Sequence, residues 1–297
     1  MTIDILLPFW GDPAYLYQAV ASVRAQTVPD WRLIVVDDAY PDESVPEYFS
    51  ALDDSRIAYH RNETNKGITE NYRRCLELAT SDWVVFLGCD DVMLPNYLET
   101  VVGAIEAFPS AVVVQPGVTV IDERSKPSTT LVDAVKQRVL RPRVEKATAL
   151  SGEKTAASLL TGNWLYWPSL AFSRTAVLDV GFREGFPMVQ DLALVMDMLY
   201  SGGTLVLDPT VCFAYRRHAA SASSAGAFDG SRFEGERRYF EIAAQQASAL
   251  GWRRAARAAR LRLTSRAYAV TLLPGALRQR SWTAARQLAG YAFSSAG

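Results

Sequence analysis

The chain has 297 residues, 49% hydrophobic and 21% charged, which are the proportions of an ordinary globular protein able to bury one large core and an accessory subdomain. The formal net charge of −1 conceals an asymmetry: residues 251–297 hold nine arginines and no acid, leaving 22 basic against 32 acidic residues before them. Cys75, Cys89 and Cys212 form an odd, widely spaced set without a CxxC pair, which points to a reducing compartment. With only His60 and His218, a multi-histidine metal centre is excluded. P-loop, GxSxG, HExxH and GxGxxG patterns are all missing.

The start MTIDILLPFWGD lacks the basic flank and long apolar core of a secretion signal, and Ile3 to Pro8 reads as a strand. Asp12-Pro13 then caps and opens a helix continued by Leu16, Val20 and Val23. Trp31 to Val36 is the next strand and runs into Asp37-Asp38; Ile57 to Tyr59 is a third. After Asn65-Lys66-Gly67, the positions Ile68, Tyr72, Cys75, Leu76 and Ala79 share one helical face. Strand Trp83 to Leu87 ends at Asp90-Asp91, and Pro95 opens a helix to about Phe108. Strands and helices alternating in this way predict a parallel sheet with right-handed crossovers and a ligand at the carboxyl ends of the strands.

Ala111 to Ile121 reads as strand broken by Pro116-Gly117, and Asp122 to Lys146 as a surface excursion. A helix over Lys154 to Leu160 leads to the aromatic loop Trp164 to Pro168 and a short strand at Leu170 to Phe172. The charge-free run Thr155 to Ser173 contains Gly162, Asn163 and Pro168, so it is not a membrane span. The loop Gly181 to Pro187 precedes Gln190-Asp191 and a helix to Tyr200; Leu205 to Leu207 and Val211 to Tyr215 are strand pieces separated by Asp208-Pro209. A soft boundary falls near Ser221 to Gly230, and the remainder is helical, with Pro274-Gly275 as its clearest break.

Two acidic pairs, Asp37-Asp38 and Asp90-Asp91, end apolar strands of one sheet. Taken singly they could be turn residues, but four neighbouring carboxylates repel unless a cation or hydrogen-bond donors lie among them. The ordered set Leu7-Pro8-Phe9-Trp10, Val35-Val36-Asp37-Asp38, Asn65-Lys66-Gly67, Phe86 to Asp91, Gln190-Asp191 and Tyr215-Arg216-Arg217-His218 resembles the family 2 glycosyltransferases of the GT-A fold, over residues 1 to 220.

That resemblance implies a GT-A, Rossmann-like α/β domain with a mostly parallel central sheet flanked by helices (1–220), followed by a helical, Arg-rich C-terminal extension (221–297). It implies a nucleotide-sugar site in which Pro8 and Phe9 meet the nucleoside and Asp38 accepts from the imide of uracil or thymine. Asn65, Lys66 and Gly67 line the same site, and Asn163 and Trp164 lie near the donor sugar. Asp90 falls to the ribose, Asp91 and His218 to Mg²⁺ or Mn²⁺, and Asp191 to the general base, with an N-cap as its structural alternative. Trp10-Gly11, Arg73 and Gln190 depart from the family pattern, where a small residue with Asn, an Asn and a Glu are usual. The rings of Trp164 to Trp167 are either an acceptor wall or core.

In the tail, Leu261, Leu263, Tyr268, Leu272 and Leu273 among the arginines suit an amphipathic surface on anionic lipid; packing on the acidic catalytic part is the competing reading. No nucleic-acid module accompanies the basic residues. The whole reads as a cytoplasmic enzyme, peripheral on the inner face of the cell membrane. The resemblance implies a metal-dependent, inverting glycosyltransferase of cell-envelope polysaccharide synthesis, moving a hexosyl or deoxyhexosyl group from a UDP or dTDP sugar to a glycan or lipid-linked hydroxyl. The alternative is a catalytically silent nucleotide-sugar-binding or scaffold protein with the same fold.

Overall fold

The computed structural model describes residues 1–186, 188–218 and 231–293. Pro187 and the expected boundary Ser221 to Gly230 lie outside the described residues. The chain runs β1 (Ile3–Phe9), α1 (Pro13–Arg24), β2 (Trp31–Asp37), α2 (Ser44–Ser50), β3 (Ile57–Arg61), α3 (Ile68–Leu78), β4 (Trp83–Phe86), β5 (Val92–Met93), α4 (Tyr97–Ala107) and β6 (Ala111–Ile121). It continues through α5 (Leu131–Val135), β7 (Thr148–Ser151), α6 (Gly152–Thr161), β8 (Ala171–Ser173), α7 (Arg174–Val180), α8 (Gln190–Tyr200) and β9 (Thr204–Arg216). The helices α9 (Ser231–Ala249), α10 (Arg253–Leu261), α11 (Leu263–Arg278) and α12 (Trp282–Phe293) follow.

One sheet carries the order β3-β2-β1-β4-β8-β6-β9-β5, with β7 joined to β9. The first four strands are parallel, as is the β6/β9 pair; β8 runs antiparallel between β4 and β6, so the sheet is mixed. Alternation along β1 explains why a nearly continuous apolar run was needed: Leu6 faces α3 and α8, while Ile5 and Leu7 face α1 and α4. Both faces are covered, so both must be apolar. A third, smaller cluster of Ala269, Ala276, Leu288 and Tyr291 joins α11 to α12.

Several expectations are corrected here. The breaks at Pro116-Gly117 and Asp208-Pro209 are a shared irregularity between two unbroken strands: the β6/β9 register shifts at Gln115/Gly117 and again at Gly117/Val118. A Cβ on Gly117 would stand 2.6 Å from the Pro209 carbonyl oxygen, so only glycine admits that approach. Asp122 to Lys146 is not merely surface, because α5 buries Asp133 against Tyr166 and Arg217. Pro274 lies inside the continuous helix α11, on its exposed side. Tyr268, Leu272 and Leu273 pack against the α11/α12 cluster and are therefore not the outward stripe expected of them.

One polar anchor stands at the opposite end of the sheet from the acidic pairs. Asp4, buried in β1, accepts from Arg32 of β2 at 2.8 and 2.9 Å and from the Thr80 and Ser81 amides that precede β4. Burial pushes its carboxyl up, but the bonds from Arg32, Ser81 and Thr80 outweigh burial and hold the pKa below the ordinary value. The native state therefore binds this proton less tightly than the unfolded chain. The stabilisation is present above about pH 4 and is lost as pH falls through the depressed value. Asp4→Asn is expected to destabilise the fold by about 3 kcal/mol at pH 7 and to flatten this part of the acid limb, measured by urea unfolding at pH 7 and below pH 4.

Candidate active site

Each acidic pair is built where a parallel strand ends, and the two are satisfied differently. At the end of β2, Asp37 accepts from the Tyr40 amide at 2.8 Å and the Tyr59 hydroxyl at 2.5 Å, with Arg61 3.7 Å away. Ala39, at φ 61°, turns the chain so that the Tyr40 amide comes back on Asp37. Asp38 is 2% exposed and accepts from the Asn62 side chain and from the Lys66 and Gly67 amides, all within 2.9 Å. Of its roughly four acceptor positions, one is left over. Asp38 thus fastens the Asn65-Lys66-Gly67 loop, and this first pair is compensated by donors.

The second pair sits in the turn after β4. Asp91 is 1% exposed; its Oδ1 accepts the Arg216 amide at 2.7 Å, and its Oδ2 is buried without a partner among the described residues. Burial, then the neighbouring Asp90 charge, raise its pKa well above the carboxylate range, against the opposing pull of the Arg216 amide. Asp90 is half-buried, and its Oδ2 lies 2.7 Å from Nε2 of His218, which comes in from beyond β9. Gly88 makes room: a Cβ there would stand 2.5 Å from Asp91 Oδ2. Asp90 meets His218 while Asp91 is turned inward, so the two carboxylates of the pair face different surroundings.

A cation fits this arrangement in one respect and is limited in another. A buried carboxylate oxygen without a partner needs a proton or positive charge. Yet no three His, Cys, Asp or Glu side chains form a ready metal cage among the described residues, so any ion here takes other ligands from substrate phosphate and water.

Asp191 stands in the first turn of α8, where the helix N-terminus favours a carboxylate. The N-cap position belongs to Val189, so Asp191 is not the cap. Its Oδ2 accepts from the Asn163 side chain at 2.9 Å, which brings together two of the expected residues. Gln190 beside it accepts from Thr69 at 3.1 Å, tying α8 to the start of α3 just after Gly67.

Trp164 is a correction. Its ring is fully buried and its indole N–H donates to Ser158, so it builds the core and offers no face to a sugar. Trp167 stacks on Phe86 and donates to the Tyr72 hydroxyl. The exposed aromatic at the strand ends is instead Trp10, 52% exposed, edge-on to Tyr40, which in turn packs on the buried ring of Phe9; Pro8 lies half-buried before them. Sequence reasoning took Trp10 only as a departure and missed Tyr40, although both flank the acidic strand ends. Arg216, quoted in the sequence only as part of the run to His218, is 1% exposed, and its guanidinium donates to the Asp90 carbonyl oxygen at 2.6 Å and to Asp122, Ser125 and Gln18.

Acidic turns at the carboxyl ends of parallel strands, with an antiparallel strand set beyond them in a mixed sheet, define a GT-A fold. The chain belongs to glycosyl transferase family 2, whose profile matches residues 4–176. It is 32% identical over 99 residues to the UDP-Glc:alpha-D-GlcNAc-diphosphoundecaprenol beta-1,3-glucosyltransferase WfgD of Escherichia coli, covering 33% of this chain and 38% of that one. The matched segments span less than half the length of such curated relatives. Among solved structures it is similar to S. aureus TarS 1-349, with TM-score 0.66 and 13% identity, over 99% of this chain and 81% of that one. TarS 1-349 in complex with UDP-GlcNAc gives TM-score 0.61 at 13% identity, over 98% and 91% of the two chains.

Because the folded pKa of Asp91 lies above its unfolded value, the native state holds that proton more tightly. The ligand-free protein therefore loses stability as pH rises from about 4 towards the raised pKa, at most about 1.4 kcal/mol per pH unit. Asp91→Asn is expected to remove this decline and to leave the ligand-free protein at least as stable as wild type at pH 8, read from urea midpoints across the pH range.

Proposed function

We propose that the chain transfers a hexosyl or deoxyhexosyl group, with inversion, from a UDP or dTDP sugar to a hydroxyl of a glycan or lipid-linked acceptor in cell-envelope polysaccharide synthesis, on the cytoplasmic side of the membrane. The observation that carries this reading is the meeting of Asp90 and His218, 128 residues apart, over the buried Asp91 at the sheet's ligand-binding end. Family membership supports the reaction class, and the UDP-GlcNAc bound by TarS 1-349 supports the kind of donor.

In this reading Trp10 and Tyr40 form an aromatic wall for the base beside Pro8, while the ring of Phe9, expected to meet the nucleoside, is fully buried and supports Tyr40 from within. The loop Asn65 to Gly67, held by Asp38, closes the nucleoside side, and the remaining acceptor position of Asp38 takes the base N–H. Asp90 and His218, with Asp91 behind them, would hold Mg²⁺ or Mn²⁺, whose positive charge would stabilise the departing diphosphate. Asp191 removes the proton of the attacking hydroxyl. Asn163 occupies one of its oxygens and so fixes the carboxylate plane, leaving Oδ1 for the proton. Residues 1–220 form the catalytic part and 221–297 the extension.

Two measurements test this. Asp191→Asn should leave donor affinity unchanged and slow transfer by about 10²- to 10⁴-fold; wild-type transfer by this variant would remove Asp191 from the chemistry. Asp90→Asn and His218→Ala should weaken UDP binding in Mn²⁺ and have no effect in EDTA, read by calorimetry. Nucleotide-sugar binding without turnover across a panel of acceptors would leave a silent binding protein as the function.

A further inference from the structure

The C-terminal helices present an outward face that the catalytic reading leaves unused. α10 buries Ala255, Ala256 and Ala259 and turns Arg253, Arg254, Arg257 and Arg260 to solvent. α11 directs Ala269 and Ala276 inward and leaves Leu263, Val270 and Leu277 outside. Seven residues are nearly two helical turns, so these three lie along one side of α11. Trp282 and Phe293 stand out from α12, and the five apolar side chains are between 41% and 72% exposed. The exposed arginines Arg278, Arg280 and Arg286 belong to the same hairpin or its turn.

A groove of about 260 Å³ adjoins this stripe. Ala157, Thr161, Ala258, Leu261 and Leu263 give it an apolar lining, and Arg254 and Arg257 complete it. Leu263 belongs to both groove and stripe, which makes the two one continuous surface. Its chemistry is that of an amphiphile's partner: cations beside an apolar trough. No helix among the described residues is long and apolar enough to cross a membrane, so the surface suits lying on a bilayer and not spanning one.

We infer that the face formed by the α10 arginines, the Leu263-Val270-Leu277 stripe and the adjoining groove docks on an anionic phospholipid bilayer, with lipid phosphates on Arg254 and Arg257 and acyl carbons on the stripe. Charge selects this occupant. Arg253, Arg254, Arg257, Arg260, Arg278, Arg280 and Arg286 are exposed on these helices and their turn, and residues 251–297 hold no acid, so two copies meeting through this face would bring cation against cation. Nucleic acid would satisfy the arginines yet leave large leucine, valine and aromatic side chains against phosphate. An anionic bilayer satisfies both components at once.

The test is flotation of the full chain with vesicles of phosphatidylcholine alone or with about 30% phosphatidylglycerol, at low and high salt. The wild type should float only with the anionic vesicles, and raised salt should reduce binding. The triple change Leu263→Ser, Val270→Ser and Leu277→Ser, and separately Arg254→Gln with Arg257→Gln, should each weaken binding at least tenfold. Unchanged far-ultraviolet dichroism and unchanged UDP binding report the fold, and vesicle binding does not depend on transfer activity. If the triple variant does not fold, the arginine pair decides alone. Equal binding to neutral vesicles, undiminished binding by the arginine variant, or a wild-type dimer dispersed by the triple change would overturn the inference.

Discussion

The site depends on a buried arginine. Arg216 ends β9 in a region where a charge is costly unless its donors are met, and they are met by the Asp90 carbonyl oxygen, Asp122, Ser125 and Gln18, with the Tyr15 ring 4.5 Å from the guanidinium carbon. Its amide fills one oxygen of Asp91. A single residue thereby fastens the last strand to the turn after β4, to α1 and to the turn after β6. His218 follows two positions later, so the reach of His218 to Asp90 is a consequence of where Arg216 is held. Arg217, between them, is tied in turn to Asp133 of α5 at 2.9 Å.

The two acidic pairs show how similar sequence produces different chemistry. Asp37 and Asp38 are surrounded by amides, a tyrosine hydroxyl and an asparagine, and their charge is consumed in holding a loop. Asp90 and Asp91 have fewer donors, and one carboxylate oxygen is left inside the protein without any among the described residues. Uncompensated charge, and not the number of carboxylates, marks the place where a cationic ligand would lower the energy.

What the sequence discloses follows from how local the physics is. The strand ends, the caps and the helix at Asp191 were legible because apolar runs and turn residues act over a few positions. Trp164 was ambiguous because the same ring serves a core or a sugar, and only the packing of α6 decides. Asp133 read as part of a polar excursion because its partners, Tyr166 and Arg217, are distant in the chain. Arg216 read only as one member of the run Tyr215-Arg216-Arg217-His218; its burial depends on four separate segments meeting, the end of β9, the turn after β4, the turn after β6 and α1. Pro274 carries a strong local signal for a break, yet packing of α11 on α12 keeps the helix whole.

The irregularity shared by β6 and β9 has a consequence for length. Side chains alternate across a strand, so a register shift resets which residues point to which face. The arm from Phe213 to Arg216 lies downstream of the last of these shifts, pairs in unbroken register with Val118 to Ile121, and buries Arg216 at its end. One residue added or lost in this arm would invert its parity and send the guanidinium to the opposite face. The distance along the sheet is thus counted in whole pairs of residues: a substitution in this arm leaves the parity intact, whereas a single insertion or deletion does not.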